Sequence, residues 1–174
     1  MSRSGKTAWA LAVALAVPMC LAPRALAGEV ASWSGQYVMV LGANAKSGTS
    51  MAAAQNEFAH RSSVTFTSSC TAGVCVATVV NPPPPKNESM PRTIEFTWNG
   101  AQWIREMTWT WDCLLPDGTV EYDPAKSISV YTPGPYGILT GVFHTDIASG
   151  ACQGNVDMPV SAKPVSAPVN QPIN

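Results

Sequence analysis

The sequence is poor in charge and in the residues that carry most enzyme chemistry. Asp, Glu, Lys and Arg make up 12% of its 174 residues, and there are only two histidines, His60 and His144. It contains no G-x-S-x-G nucleophile elbow, no H-E-x-x-H zinc motif and no glycine-rich phosphate loop, so the common routes to ester hydrolysis, metal-assisted proteolysis and nucleotide chemistry have no foothold. No cofactor fingerprint is present. Lys46, Arg61, Lys86, Arg92, Arg105, Lys126 and Lys163 are scattered singly, which argues against nucleic acid or an anionic lipid surface as the partner. Helical periodicity is scarce, and beyond the N-terminus no apolar run approaches the roughly 20 residues of a membrane helix.

What is present begins with a leader. Arg3 and Lys6 precede an apolar run from Ala8 to Ala22, interrupted by Pro18, and Ala25-Leu26-Ala27 places small residues before Gly28. This is the pattern of a signal peptide over residues 1–27, and no stable membrane span is expected once it is cleaved. Cleavage there leaves 147 residues, enough for one domain with its own core. The basic residues fall from ten to seven against eleven acidic ones, a net charge near −4.

Cys20 leaves with the leader, and Cys70, Cys75, Cys113 and Cys152 remain. Four cysteines in an exported chain predict disulfides ahead of metal, with three possible connectivities. Cys70 and Cys75 flank Thr71-Ala72-Gly73-Val74, a hairpin tip, so a local bridge is the favoured pairing and Cys113 then joins Cys152. The spacing is not that of a zinc knuckle, and no metal site is expected.

The chain is organised around Thr93 to Cys113. Asn99-Gly100 between two alternating runs predicts a hairpin with a two-residue type I′ turn, which would set Trp98 opposite Ala101, Phe96 opposite Trp103 and Ile94 opposite Arg105. A period of two then places Trp103, Arg105, Met107, Trp109, Trp111 and Cys113 on one side, the core side, and Gln102, Glu106, Thr108, Thr110 and Asp112 on the other. Further strands are expected at 34–41, 64–69, 75–80, 119–123, 127–132, 138–145 and 152–160. A short helix at most is expected near Met51 behind a Thr49-Ser50 cap. Asn81-Pro82-Pro83-Pro84-Pro85-Lys86-Asn87 reads as a stiff polyproline connection, and Asn87-Glu88-Ser89 is a formal glycosylation acceptor. Residues 161–174, rich in Pro, Ser, Val and Ala without periodicity, read as a disordered tail. The sum is an all-β domain over residues 28–160, an antiparallel meander of about nine strands closed as a barrel or folded as a sandwich.

Candidate chemistry is thin. His144-Thr145-Asp146 sets a histidine and an aspartate on one face of a strand, the best basis for a secreted hydrolase. Asp112, Asp117, Glu121 and Asp123 cluster around one hairpin but include an ordinary turn aspartate, so they make a poor calcium loop. Arg105 breaks the pattern, since a charge among tryptophans is costly unless paired or solvated. It either escapes the core through a bulge or a barrel end, or orients an anion in a cavity lined by Trp103, Trp109 and Trp111.

Several of these segments taken together are family-like: Gly48-Thr49-Ser50-Met51-Ala52-Ala53, the Cys70 to Thr78 hairpin, Phe96-Thr97-Trp98-Asn99-Gly100, Trp109-Thr110-Trp111-Asp112-Cys113-Leu114-Leu115-Pro116-Asp117-Gly118 and Ser149-Gly150-Ala151-Cys152-Gln153-Gly154. Across Trp33 to Ala162 the chain resembles the mycobacterial sensor-like secreted surface proteins, a domain type similar to the extracellular part of some receptor-type Ser/Thr kinases. The resemblance implies export, a surface or extracellular location, and sensing or binding in place of catalysis. It transfers no catalytic residues, and this chain carries no kinase domain. The expectation is therefore a secreted, non-enzymatic domain that binds a small-molecule or cell-envelope ligand through Trp103, Arg105, Trp109 and Trp111. The alternatives are a hydrolase at His144 and Asp146, and a structural or host-facing interaction module.

Overall fold

In the computed structural model, residues 32–165 are described. The leader and the end of the tail lie outside them. Eight antiparallel strands close into a barrel in chain order: β1 (Gly35–Leu41), β2 (His60–Thr71), β3 (Val74–Val80), β4 (Glu95–Trp98), β5 (Trp103–Leu114), β6 (Val120–Pro133), β7 (Leu139–Ile147) and β8 (Gly154–Pro164), with β8 pairing back onto β1. Closure leaves no full-length edge for aggregation. The helical content is three short 3₁₀ turns, one of them Met51–Ala54, where the Ser50 side chain accepts the Ala52 N–H as the cap.

Nine expected strands become eight because the runs at 119–123 and 127–132 are one strand through Pro124. Proline survives there because the gap it leaves is filled. Its carbonyl accepts the Ala148 N–H, and the Ala148 carbonyl, which Pro124 cannot serve, takes the side-chain amide of Gln153. The tail boundary also moves: 161–164 belong to β8, paired with Val40 to Tyr37, and Ala162 is fully buried. Composition concealed this, because the small residues at these positions are the ones that fit against the barrel interior. Residues 166–174 lie outside the described residues.

The tryptophan hairpin forms with a different register. Trp98 pairs with Trp103 and Thr97 with Ile104, so the connection has four residues in place of two. The Asn99 side chain accepts the N–H groups of both Ala101 and Gln102, and this Asx turn wins over the type I′ alternative; only Gly100 takes positive φ. The slip is even, so no side chain changes face. It also brings Trp98 and Trp103 together with ring centroids 5.3 Å apart. A two-residue turn with positive φ at both positions does occur at Ala72-Gly73, on the β2–β3 hairpin whose facing residues Cys70 and Cys75 are bridged. Cys113 joins Cys152.

The interior has two halves. In one, Trp33, just ahead of β1, sits inside a ring of Tyr37, Phe66, Phe96, Trp103 and Tyr131, stacked on Phe66 at 4.2 Å. In the other, Trp111, Met158, Val156, Ile147 and the Cys113–Cys152 bridge pack together, and Leu41 and Phe143 join the halves. The wall is incomplete around this second half. β4 has four residues and pairs with β5 only through Thr97 and Trp98, while β3 meets β2 only from Thr65 onward. Residues 60–64 of β2 and 106–114 of β5 therefore have no strand between them.

Candidate functional site

That opening leads to a cavity of about 580 Å³. Its floor is apolar: Leu41 from β1, Trp109 and Trp111 from β5, Phe143 from β7 and Met158 from β8. Two irregular segments rim it, Gln55 to Glu57 with His60 on one side and Lys86, Asn87 and Met90 of the proline-rich connection on the other. The connection is fastened to the bare margin of β5. The Asn87 side-chain amide donates to the Thr110 carbonyl and to Asp112 Oδ1, and Ser89 Oγ accepts the Thr110 N–H. Gln55 Nε2 reaches the Leu114 carbonyl at 2.7 Å. Backbone groups that a strand would have satisfied are satisfied by side chains instead, which leaves room for a space. The Asn87 amide is thus engaged within the wall.

Four residues were expected to share a ligand site, and the fold separates them. Trp109 and Trp111 line the cavity, side by side with centroids 5.4 Å apart. Trp103 is sealed in the other half beneath Trp33. Arg105 is one position past the last β4–β5 pair, Thr97 with Ile104, and its Nη2 donates to the Thr93 carbonyl at 3.4 Å. Burial lowers its guanidinium below the ordinary value. The charge is met by a backbone carbonyl on the segment that leads into β4.

Trp109 is held rigidly. Its Nε1–H donates to Ser127 Oγ at 2.8 Å, and Ser127 shares a 2.7 Å hydrogen bond with Thr145 Oγ1, both of them buried. Trp111 is only 8% exposed and its Nε1–H has no acceptor. The rim charges were invisible to sequence reasoning because they come from separate loops. Lys46 Nζ meets Glu57 Oε2 at 3.0 Å with its side chain 3% exposed, and Glu57 Oε1 meets His60 Nε2 at 2.8 Å. Burial pushes the Glu57 carboxyl up, but the hydrogen bonds from His60 and Lys46, with the charges of Lys46 and Lys86, hold it below the usual carboxylate range.

His144 and Asp146 do share a face, on the barrel exterior. His144 Nδ1 contacts Asp157 Oδ1 at 2.6 Å and Nε2 contacts Asp146 Oδ1 at 3.2 Å. Both ring nitrogens are taken up by carboxylates, so neither is placed to accept a proton from a nucleophile. The hydrogen bond to Asp157 raises its pKa, assisted by the two carboxylate charges against a smaller opposing effect of burial. A folded-state value above the unfolded one stabilises fully below about pH 6.5 and is lost as pH rises through the folded value. Urea titrations should therefore show His144→Gln less stable than the parent by about 1 kcal/mol at pH 5.5, with the difference closing at higher pH. A gap that widens with pH would contradict this.

The four carboxylates of the β5–β6 hairpin do separate jobs. Asp112 binds Asn87, Asp117 Oδ1 caps the turn through the Thr119 N–H and hydroxyl, and Glu121 accepts the Ala151 N–H. Asp123 is buried with Oδ2 unpartnered, and desolvation with the nearby Glu121 charge raises its pKa. Its carboxylate lies where a Cβ at residue 150 would fall, and Gly150 has φ +79°, so glycine is required there twice over. Among the described residues, the His/Cys/Asp/Glu group tight enough for a metal is Cys113, Glu121 and Asp123, and its sulfur is committed to the disulfide.

The architecture defines a class of fold, the small disulfide-linked antiparallel barrel of eight strands. The monomeric form of the M. tuberculosis PknI sensor domain superposes with a TM-score of 0.57 at 16% sequence identity, covering 83% of this chain and 95% of that one. The dimeric form of the same domain aligns over 64% of this chain and 75% of its own, at 23% identity and a TM-score of 0.46. No protein-family model and no curated protein matches the sequence. The likeness is one of fold.

Proposed function

We propose that this is an exported, non-enzymatic sensor-like domain that binds a small or envelope-derived ligand in the cavity between β2 and β5. The observation that carries the reading is the cavity itself. Its 580 Å³ falls within the range of small-molecule sites, its floor is aromatic and aliphatic, and a few polar groups converge at its mouth. The sensor-domain fold and two disulfides support an extracellular setting for such a site. Binding rests on Trp109 and Trp111, with Phe143 and Met158 completing the floor, while Trp103 and Arg105 serve the neighbouring core and wall.

An uncharged apolar fluorophore tests this without reference to any headgroup. N-phenyl-naphthylamine should bind saturably, one per molecule, with enhanced emission. Met158→Trp, which fills the floor, should weaken that binding about tenfold or more. Absence of saturable binding to the parent protein would sink the proposal.

A further inference from the structure

The cavity's polar groups differ in how well they are satisfied. Glu57 has both oxygens engaged, Asn87 Oδ1 accepts from Ser89, and Asp112 Oδ1 accepts from Asn87. Asp112 is exposed at the rim, and the buried unsatisfied groups there are donors. The Lys46 ammonium has three N–H groups, and its one hydrogen bond is to Glu57, although the side chain is 3% exposed. Lys86 stands at the mouth, near enough to Glu57 for its charge to act on that carboxyl, and forms no ion pair among the described residues. Buried donors without acceptors are costly, and an acceptor supplied by a ligand removes that cost.

We infer that the ligand is an anionic amphiphile, an acyl or alkyl chain ending in a carboxylate or phosphate. Its chain lies over Trp109, Trp111, Phe143 and Met158, and its headgroup takes the free donors of Lys46 with Lys86 at the mouth. Lys46, His60 and Lys86 are far apart in sequence, and only the fold gathers them. A cationic headgroup has less to meet at this rim, because Glu57 is already shared between Lys46 and His60 and the other lining carboxylate, Asp112, is exposed and holds Asn87. The inference rests on the cavity being the ligand site.

Calorimetric titration with dodecanoate, dodecyl phosphate, dodecanol and dodecyltrimethylammonium separates the possibilities. Dodecanoate or dodecyl phosphate should bind about tenfold or more tightly than dodecanol, and the better of the two identifies the headgroup. The double variant Lys46→Met with Glu57→Gln removes the pair together and so leaves no unpaired buried charge. It should abolish the preference while dodecanol and N-phenyl-naphthylamine bind as before. Lys86→Gln, at the mouth, should reduce it severalfold. Equal affinity for dodecanol and the anions, or tighter binding of the ammonium, overturns the headgroup assignment and leaves the cavity standing. Failure of all four amphiphiles together with the neutral fluorophore overturns the cavity as a ligand site.

Discussion

Trp33→Ala should lower the unfolding free energy by about 4 kcal/mol, measured by urea or guanidinium denaturation. Trp33 is 0% exposed and stands inside the closed half of the barrel, stacked on Phe66 and tilted against Phe96, Trp103 and Tyr131. Those partners come from β2, β4, β5 and β6, so no local rearrangement can fill the space that alanine leaves. Trp33→Phe should cost less than half as much. It keeps an aromatic ring for the stack, and the N–H it deletes has no acceptor to lose. A loss below about 1 kcal/mol for the alanine variant would mean that the indole does not organise this core.

Removing the Cys113–Cys152 bridge with paired alanines should cost about 4 kcal/mol, a fall in Tm of roughly 10–15 °C for a domain of this size. The bridge closes a span of 39 residues, so its loss frees much of the unfolded chain. Both cysteines are also 0% exposed, and the Ser50 hydroxyl donates to the Cys152 carbonyl, which places the bridge beneath the loop that leads to the cavity rim. Cys70–Cys75 spans five residues at a hairpin tip, and its removal should cost about 2 kcal/mol. Equal effects of the two removals in calorimetric melts would refute the loop-length argument.

The core face of β5 was legible because alternation survives any even change of register. Trp103, Met107, Trp111 and Cys113 are buried as the period of two requires, although the turn at Asn99 adds two residues. The cysteine pairing was legible because Cys70 and Cys75 frame a turn and leave one partner for Cys113. The opening in the wall was not. It depends on where β4 stops, and Thr93-Ile94 continue the alternating pattern without joining the ladder to β5. The candidate site was half legible for the same reason. One strand face was read as one environment, whereas β5 passes from a sealed aromatic core at Trp103 to an open cavity at Trp109. Lys46, Glu57 and His60 come from loops or a strand end, where no period announces which way a side chain points.

The resemblance stated from the tryptophan and cysteine motifs agrees with the fold, since the PknI sensor domain superposes over most of its length. Fold carries no ligand with it. The proposal of binding rests on a division among the tryptophans, Trp33 and Trp103 in the closed aromatic core and Trp109 and Trp111 beside the cavity.

The most direct measurement of that division is proton–nitrogen NMR of the indole N–H groups, assigned with single Trp→Phe variants, during titration with N-phenyl-naphthylamine. Ring-current shifts should move the Trp109 and Trp111 signals and leave Trp33 and Trp103 in place. Shifts at Trp33 or Trp103 in their stead, or no shift at any indole, would contradict the account.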